Sequence, residues 1–354
     1  MNHFFSERLQ VPDSVDEINE YLYSRGLTDG LPVIPPTEER VEAMIAGCGR
    51  DPGEVVAEEL APRRGIATIE TLAINSVMAG CKPEYFPVVI AAVEAIGDGR
   101  FDLQNHNTTT NPNALMMVIN GPVRHSIDIN CSFGVFGPGW RANATIGRAL
   151  RLILLNAAGA IPGEVSRSTQ ATPGRYGICI GEFEEQSPWE PLHVERGIAP
   201  GASTVTLFPA ASTVSILDHL SKSGTELLKT LVNSMDMVGS LSMLLNSHES
   251  MLVLCPDHAA ILAREFGSKA NLKKLIAGNV KRPVSDFSKD YLERFERFGP
   301  SPVGKIHDGF VWLAPDPEKY LTVVVAGGDK GYHSTFIPAG MGGFSITKTI
   351  KLAV

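Results

Sequence analysis

Apolar residues in this chain come in short runs: none exceeds six residues, the length of the stretch at 114–119. A membrane-spanning helix needs about 20, so the apolar surface must be buried in many short elements stacked around a core. With 44% apolar and 20% charged residues, the chain has enough aliphatic surface for that core and too much for a disordered protein. At about 100–200 residues per domain, 354 residues predict two domains. Thirty-four glycines and 24 prolines predict many tight turns, and therefore many loops on which a site can be built.

Charge and cysteine usage narrow the function classes. Thirty-one Lys and Arg against 39 Asp and Glu give a net charge of −8, with no basic block, so no nucleic-acid partner is expected. Residues 2–8 lack the apolar segment of a signal peptide, and no membrane association is expected. The five cysteines are scattered and never form Cys-x-x-Cys, which argues against a disulfide framework and a zinc site. A cytoplasmic chain with reduced thiols, forming a homo-oligomer, is the expectation. The nine histidines show neither His-x-His nor His-Glu-x-x-His, so no metal and no cofactor is evident.

Periodicity and punctuation predict the elements. Helices are expected over 16–25, over 38–46 behind a Thr37 cap, over 67–79, and after Pro83. Residues 114–120 predict a strand, and Asn143 reads as the cap of a helix running to about 158. Its Ile146, Leu150, Ile153 and Leu154 face the core, leaving Arg148 and Arg151 on the surface. Residues 176–183 predict another strand. The composition shifts at 199–203, which separates a mixed α+β domain, 1–200, from an α/β domain, 201–354. In the latter, strands over 204–208, 251–255 and 321–326 alternate with helices over 217–238, 256–266 and 269–277, predicting a mainly parallel sheet. The fold class is α/β, with a site in the cleft between two domains.

Four segments can carry chemistry. In residues 130–145, Gly134, Gly137 and Gly139 precede a helix, so the helix's free first-turn amides and the Arg141 fork offer an anion site near Asn143. The same loop reads equally as a turn feeding a capped helix. Cys131 lies in it, where positive potential favours a nucleophilic thiolate, while burial would do the opposite. Residues 181–197 hold five carboxylates, His193 and Arg196, and a helical turn after Pro191 places Glu190 and His193 together for acid–base work; a solvated acidic loop is the alternative. Residues 104–113 are almost all hydrogen-bonding, with His106 and Asn107 as candidate ligand contacts. Gly327 and Gly328 follow a strand, where α/β sheets place ligands, with His333 and Ser334 close behind.

Four stretches together resemble a known family: residues 28–37 (Thr-Asp-Gly-Leu-Pro-Val-Ile-Pro-Pro-Thr), 77–85 around Ala79-Gly80-Cys81, 141–149 around Asn143-Ala144-Thr145, and 187–197 around Trp189-Glu190-Pro191-Leu192-His193. They resemble a bacterial family of large proteins associated with small UGSC-type (seleno)proteins, named for a selenocysteine/cysteine-Gly-Ser-Cys motif. The resemblance spans most of the chain and implies thiol or selenol redox chemistry with a small partner protein. This chain has no Cys-Gly-Ser-Cys of its own. The expected function is that of an enzyme acting on a small anionic organic substrate, by thiol- or selenol-dependent reductive or nucleophilic cleavage of a carbon–heteroatom bond. His193, Glu190 and Cys131 would carry the reaction, and Arg141, Asn143, His106, Asn107, Gly327, Gly328, His333 and Ser334 would bind the substrate. A non-redox hydrolase or hydro-lyase, or a substrate-binding subunit without catalysis, are the alternatives.

Overall fold

The computed structural model describes residues 4–11, 13–244, 248–297, 306–314 and 316–352. Local sequence explains the first elements. The Ser14 and Thr37 hydroxyls accept first-turn amides to start α1 (Val15–Ser24) and α2 (Glu38–Ala46). A hairpin, β1 (Val55–Leu60) and β2 (Gly65–Thr68), leads into α3 (Ile69–Ala79), which Gly80 ends at φ 89°. Pro83 opens a single 3-10 turn into α4 (Phe86–Ile96), and Asp102 caps α5 (Leu103–Thr108). Then come β3 (Ala114–Asn120), the one-turn α6 (Val123–Ser126), α7 (Arg141–Asn156), β4 (Ile178–Gly181) and the one-turn α8 (Leu192–Glu195).

The rest of the chain runs through β5 (Thr204–Ala210), β6 (Val214–Leu217), α9 (Gly224–Met235), α10 (Leu241–Leu244), β7 (Ser250–Leu254), α11 (Pro256–Phe266) and α12 (Lys269–Ala277). It continues with β8 (Lys281–Pro283), α13 (Lys289–Arg297), β9 (Ile306–His307), β10 (Phe310–Trp312), α14 (Pro317–Tyr320), β11 (Leu321–Val325), β12 (His333–Ile337) and β13 (Ile346–Thr349). The helix expected over 217–238 starts only at Gly224, because Ser223 caps it and residues 214–217 are drawn into a strand beside β12. The strand expected over 176–183 shortens to Ile178–Gly181, preceded by a 3-10 turn at Pro173–Tyr176.

Two four-stranded sheets organise the molecule, in the orders β13-β5-β3-β4 and β11-β7-β12-β6. Each contains one parallel pair, β3/β4 or β7/β11, with antiparallel neighbours on the other side. The second sheet is therefore mixed rather than mainly parallel: residues 326–332 are too few for the dozen or so that a parallel crossover takes, and β12 returns antiparallel to β7.

The two sheets have the same plan, and they share strands. Thr206-Leu207-Phe208-Pro209-Ala210 in β5 and Thr335-Phe336-Ile337-Pro338-Ala339 at β12 occupy matching registers, opposite Met116 in β3 and Met251 in β7. Just beyond, the chains cross: Ala210 bridges Ala339, the Ala211 amide donates to the Pro338 carbonyl at 3.0 Å, and Gly340 donates to Pro209 at 2.8 Å. After the crossing, β6 joins β12 and β13 joins β5, so each half gives its last strand to the other's sheet. The division expected at residue 200 thus runs through the first sheet, whose β5 and β13 lie beyond it.

Strand alternation fixes the layers. Met116, Val118, Ile180 and Phe208 of the first sheet form one buried cluster with Met251, Val253, Val324 and Ile337 of the second, so the sheets face each other. Their outer faces carry the alternate residues. Leu115, Met117, Ile119 and Leu207 pack under α3, α4 and α7, while Leu252, Leu254, Val323 and Phe336 pack under α9, α11 and α12. The order of layers is helix, sheet, sheet, helix. Among the described residues, no helix is long and apolar enough to cross a membrane.

Candidate functional site

At the carboxyl ends of β3 and β4 the core gives way to a dense polar cluster. Asn120 ends β3, and its Nδ2 donates to Glu182 Oε2 at 2.6 Å and to Glu184 Oε1 at 2.9 Å. Glu182, fully buried just after β4, also accepts the Leu192 amide at 2.8 Å. Burial pushes its carboxyl above the ordinary carboxylate range, which favours the protonated acid. Asn120 Oδ1 and Glu182 Oε1 are buried without partners among the described residues, as are His193 Nδ1 and Thr204 Oγ1 on adjoining elements.

Arg124, buried on α6, ties this cluster to Cys131. Its Nη1 donates to the Glu182 carbonyl at 2.8 Å, its Nε to the Gly121 carbonyl at 3.2 Å, and its fork takes Glu185 through bonds of 3.1 and 2.8 Å. Glu184 lies 3.1 Å from Nη2. The guanidinium pulls Glu185 down to about 2, and Glu185 also meets His125 Nε2 at 2.9 Å. The side chain of Glu185 is 46% exposed against 3% for Arg124, so the anionic partner sits on the solvent side of the pair.

Cys131 is half-buried beside Arg124. Of the two effects weighed for Cys131, burial prevails: it raises the thiol's pKa, the Glu185 carboxylate adds to that, and Arg124 only partly opposes them. Its carbonyl accepts the Gly327 amide at 2.9 Å, which brings the loop after β11 against the loop between α6 and α7. The two loops line a recess of about 300 Å3 with Phe133, Val135, Phe136, Asp329 and His333 around it. Gly328 has a steric reason to be glycine: a Cβ there would lie 2.1 Å from the Phe133 ring. It seats an aromatic side chain of the opposite loop.

The other expected site residues are placed as follows. Arg141 is exposed, and its Nε and Nη2 both donate to the Gly80 carbonyl, at 3.0 and 2.9 Å, so its fork closes the end of α3. Asn143 is not the cap of α7; Trp140 holds that position. Asn143 is buried one turn in, bonded to both backbone groups of Asn130 and to the Cys179 carbonyl, which pins the loop to β4. His193 and Glu190 do not share a cavity: His193 is fully buried with Nε2 3.2 Å from the Pro200 carbonyl, whereas Glu190 is exposed. The turn after Pro191 forms as expected, but Glu190 lies before it and faces solvent, while His193 on it faces the core. His333 is exposed near Ser215, at 3.4 Å. Ser334 is buried, with His258 Nδ1 at 2.7 Å and the Cys255 amide donating to it at 3.2 Å.

His106 and Asn107 lie at the other end of the first sheet. They line a small cavity of about 20 Å3 at the amino ends of β3 and β4, together with Asn113, Arg151 and Arg175. Arg151 is thus turned inward from α7, not outward as its spacing predicts. Sequence reading missed Arg124, Asn120, Glu182 and His258. Arg124 follows a strand and a Gly-Pro turn, the position at which α/β sheets place functional groups, and that was the available signal.

No family model matches the chain, and neither does any curated protein. Among the described residues, no group of His, Cys, Asp and Glu is arranged to hold a metal ion.

Proposed function

We propose that the chain is an enzyme that cleaves a carbon–heteroatom bond of a small anionic organic molecule at the solvent-facing Arg124–Glu185 pair, with the adjacent Cys131 as nucleophile. The observation that carries this reading is the half-buried Cys131 thiol beside a buried guanidinium whose bidentate partner, Glu185, is solvent-exposed. A substrate carboxylate can take the place of Glu185 on Arg124, since arginine binds carboxylates through the same two-point fork. That exchange holds the substrate's electrophilic carbon against the sulfur. The sulfur lone pair forms a C–S bond as the carbon–heteroatom bond breaks. The heteroatom leaves with the bonding pair and takes the thiol proton. The group on sulfur then moves to a thiol or selenol of a small partner protein, whose proton restores Cys131. The partner rests on the family resemblance.

Iodoacetate and iodoacetamide separate the outcomes, because they differ in the carboxylate. Iodoacetate should modify Cys131 faster than iodoacetamide does, saturably, and before Cys179 and Cys255. Slower reaction with iodoacetate, or an unreactive Cys131, overturns the proposal. A second reading, a binding subunit without catalysis, is favoured by the raised thiol pKa and the full pairing of Arg124. Retention of full activity by Cys131→Ser would support it over the first.

A further inference from the structure

The amino end of the first sheet holds a charge arrangement that the fold leaves uncompensated. Arg151, on α7, makes one contact, a 3.4 Å approach of Nη2 to the Ala160 carbonyl. Arg175, from the turn before β4, donates through Nε to the Asn113 carbonyl at 2.7 Å and through Nη1 to Ser166 at 2.9 Å. Among the described residues, neither has a carboxylate partner. The nearest acid to act on Arg151 is Asp29, which Arg148 already holds through two bonds of 2.8 Å. The two guanidiniums repel each other, and both act on His106, which is buried in the same lining. Even half-buried, as both arginines are, charge without a counter-charge is costly, and the cavity of about 20 Å3 beside them exceeds the roughly 10–15 Å3 that one water needs.

We propose that this cavity is a binding site for a compact monovalent anion, a halide or a carboxylate group of formate size, held by Arg151 and Arg175. The site is separate from the one proposed at Cys131. Its walls come from the amino ends of β3 and β4, including Ala114, Leu115 and Gly177, while Cys131 lies near the carboxyl end of β4. Seven strand residues, at about 3.3 Å each, separate the two ends. Asn113 and Asn107 are committed to backbone carbonyls through their amide nitrogens, so the unpartnered guanidinium N–H groups are the donors left for a ligand.

His106 gives the site a pH dependence. A carbonyl only accepts, so Nδ1 carries the hydrogen in its 2.9 Å bond to Met341, and the neutral ring leaves Nε2 bare. The charged groups acting on it are Arg175, Arg151 and, on the cap of its own helix, Asp102. A bound anion offsets the two arginines and lets Nε2 take a proton, so binding strengthens as pH falls from 7 toward 5.

The test is a titration of the full chain with sodium formate and sodium chloride in an otherwise anion-poor buffer, followed by melting temperature and by calorimetry. Saturable stabilisation is expected, at least threefold tighter at pH 5.5 than at pH 7.5. Arg151→Met should lose it, with Kd raised at least tenfold, and should melt above the wild type when no anion is present, because an unpaired half-buried charge has been removed. Formate acting alone identifies a carboxylate site and equal action by chloride a general anion site; both support the proposal. An equal response in Arg151→Met, or stabilisation that rises without saturation and follows salt concentration alone, overturns it. If Arg151→Met does not fold, the absence of any calorimetric binding of either anion to the wild type overturns it as well.

Discussion

The two ends of the β3/β4 pair treat arginine in opposite ways: Arg124 is buried, Arg151 and Arg175 half-buried. At the carboxyl end, Arg124 is surrounded by acceptors: two backbone carbonyls, Glu185 and Glu184. At the amino end, Arg151 and Arg175 meet carbonyls and a serine hydroxyl but no carboxylate. Burial therefore has different consequences. Arg124 is held above its ordinary pKa by its acids, whereas Arg151 is drawn down to about 10 by desolvation and by Arg175. A compensated arginine organises its surroundings, and an uncompensated one calls for a ligand.

The largest effect should come from breaking the compensated end. Arg124→Met leaves Glu184, Glu185 and two carbonyls without their donor, and removing one partner of a buried pair costs about 3–5 kcal/mol. Urea unfolding at pH 7 measures it. A loss no greater than that of Arg151→Met would erase the distinction between the ends.

Next in size is the opposite pH response of the two ends. His106 is depressed from 6.5 to about 4 by burial and by the arginines, so its folded form resists protonation. The stability it contributes is present above 6.5 and is lost as pH falls through that range toward 4, on the order of 3 kcal/mol at 1.36 kcal/mol per unit. Glu182 is raised, so its contribution is present below the usual carboxylate pKa and is lost as pH rises through its folded value. His106→Gln should flatten the fall in stability between pH 6.5 and 4, and Glu182→Gln should flatten only the decline at higher pH. Anion-poor buffer is required, and identical pH profiles for both variants would contradict the assignment.

Smaller still, Gly328→Ala should cost about 1–3 kcal/mol through overpacking against Phe133. Combining it with Phe133→Ala should restore most of that loss, measured as melting temperature in a double-mutant cycle. The smallest effect is on reactivity. Glu185→Gln removes a carboxylate that raises the Cys131 pKa and leaves Arg124 in place. Alkylation of Cys131 by iodoacetamide at pH 7.5 should quicken, because more of the thiol is ionised. A slower rate would mean that Glu185 orders the thiol rather than opposing its ionisation.

Much of the local structure is legible in the residues themselves. The hydroxyls of Thr37 and Ser268 cap the helices they precede, Pro256 opens α11, and Gly80 ends α3 in the left-handed conformation. These follow from interactions within four residues, which composition and spacing record directly. The strands at 114–120, 204–210 and 321–325 are equally plain, because a run of apolar residues buried on both faces needs no partner to be named.

Partner choice over long separation was settled only by the tertiary structure. Nothing near Val214–Leu217 or Ile346–Thr349 says that each will leave its own half, since edge strands bond to whichever edge the chain crossing at Ala210 and Ala339 presents. The same holds for charge. Helical spacing gives Arg151 a surface face, but the turn at Pro173–Tyr176 closes over that face and brings Arg175 with it. Glu190 and His193 sit three apart, yet one is in solvent and the other in the core, because Glu190 precedes the α8 turn while His193 lies on its buried side. Sequence determined which elements form and which groups can react; packing between distant segments decided which groups meet, since burial and electrostatics depend on neighbours that spacing along the chain does not encode.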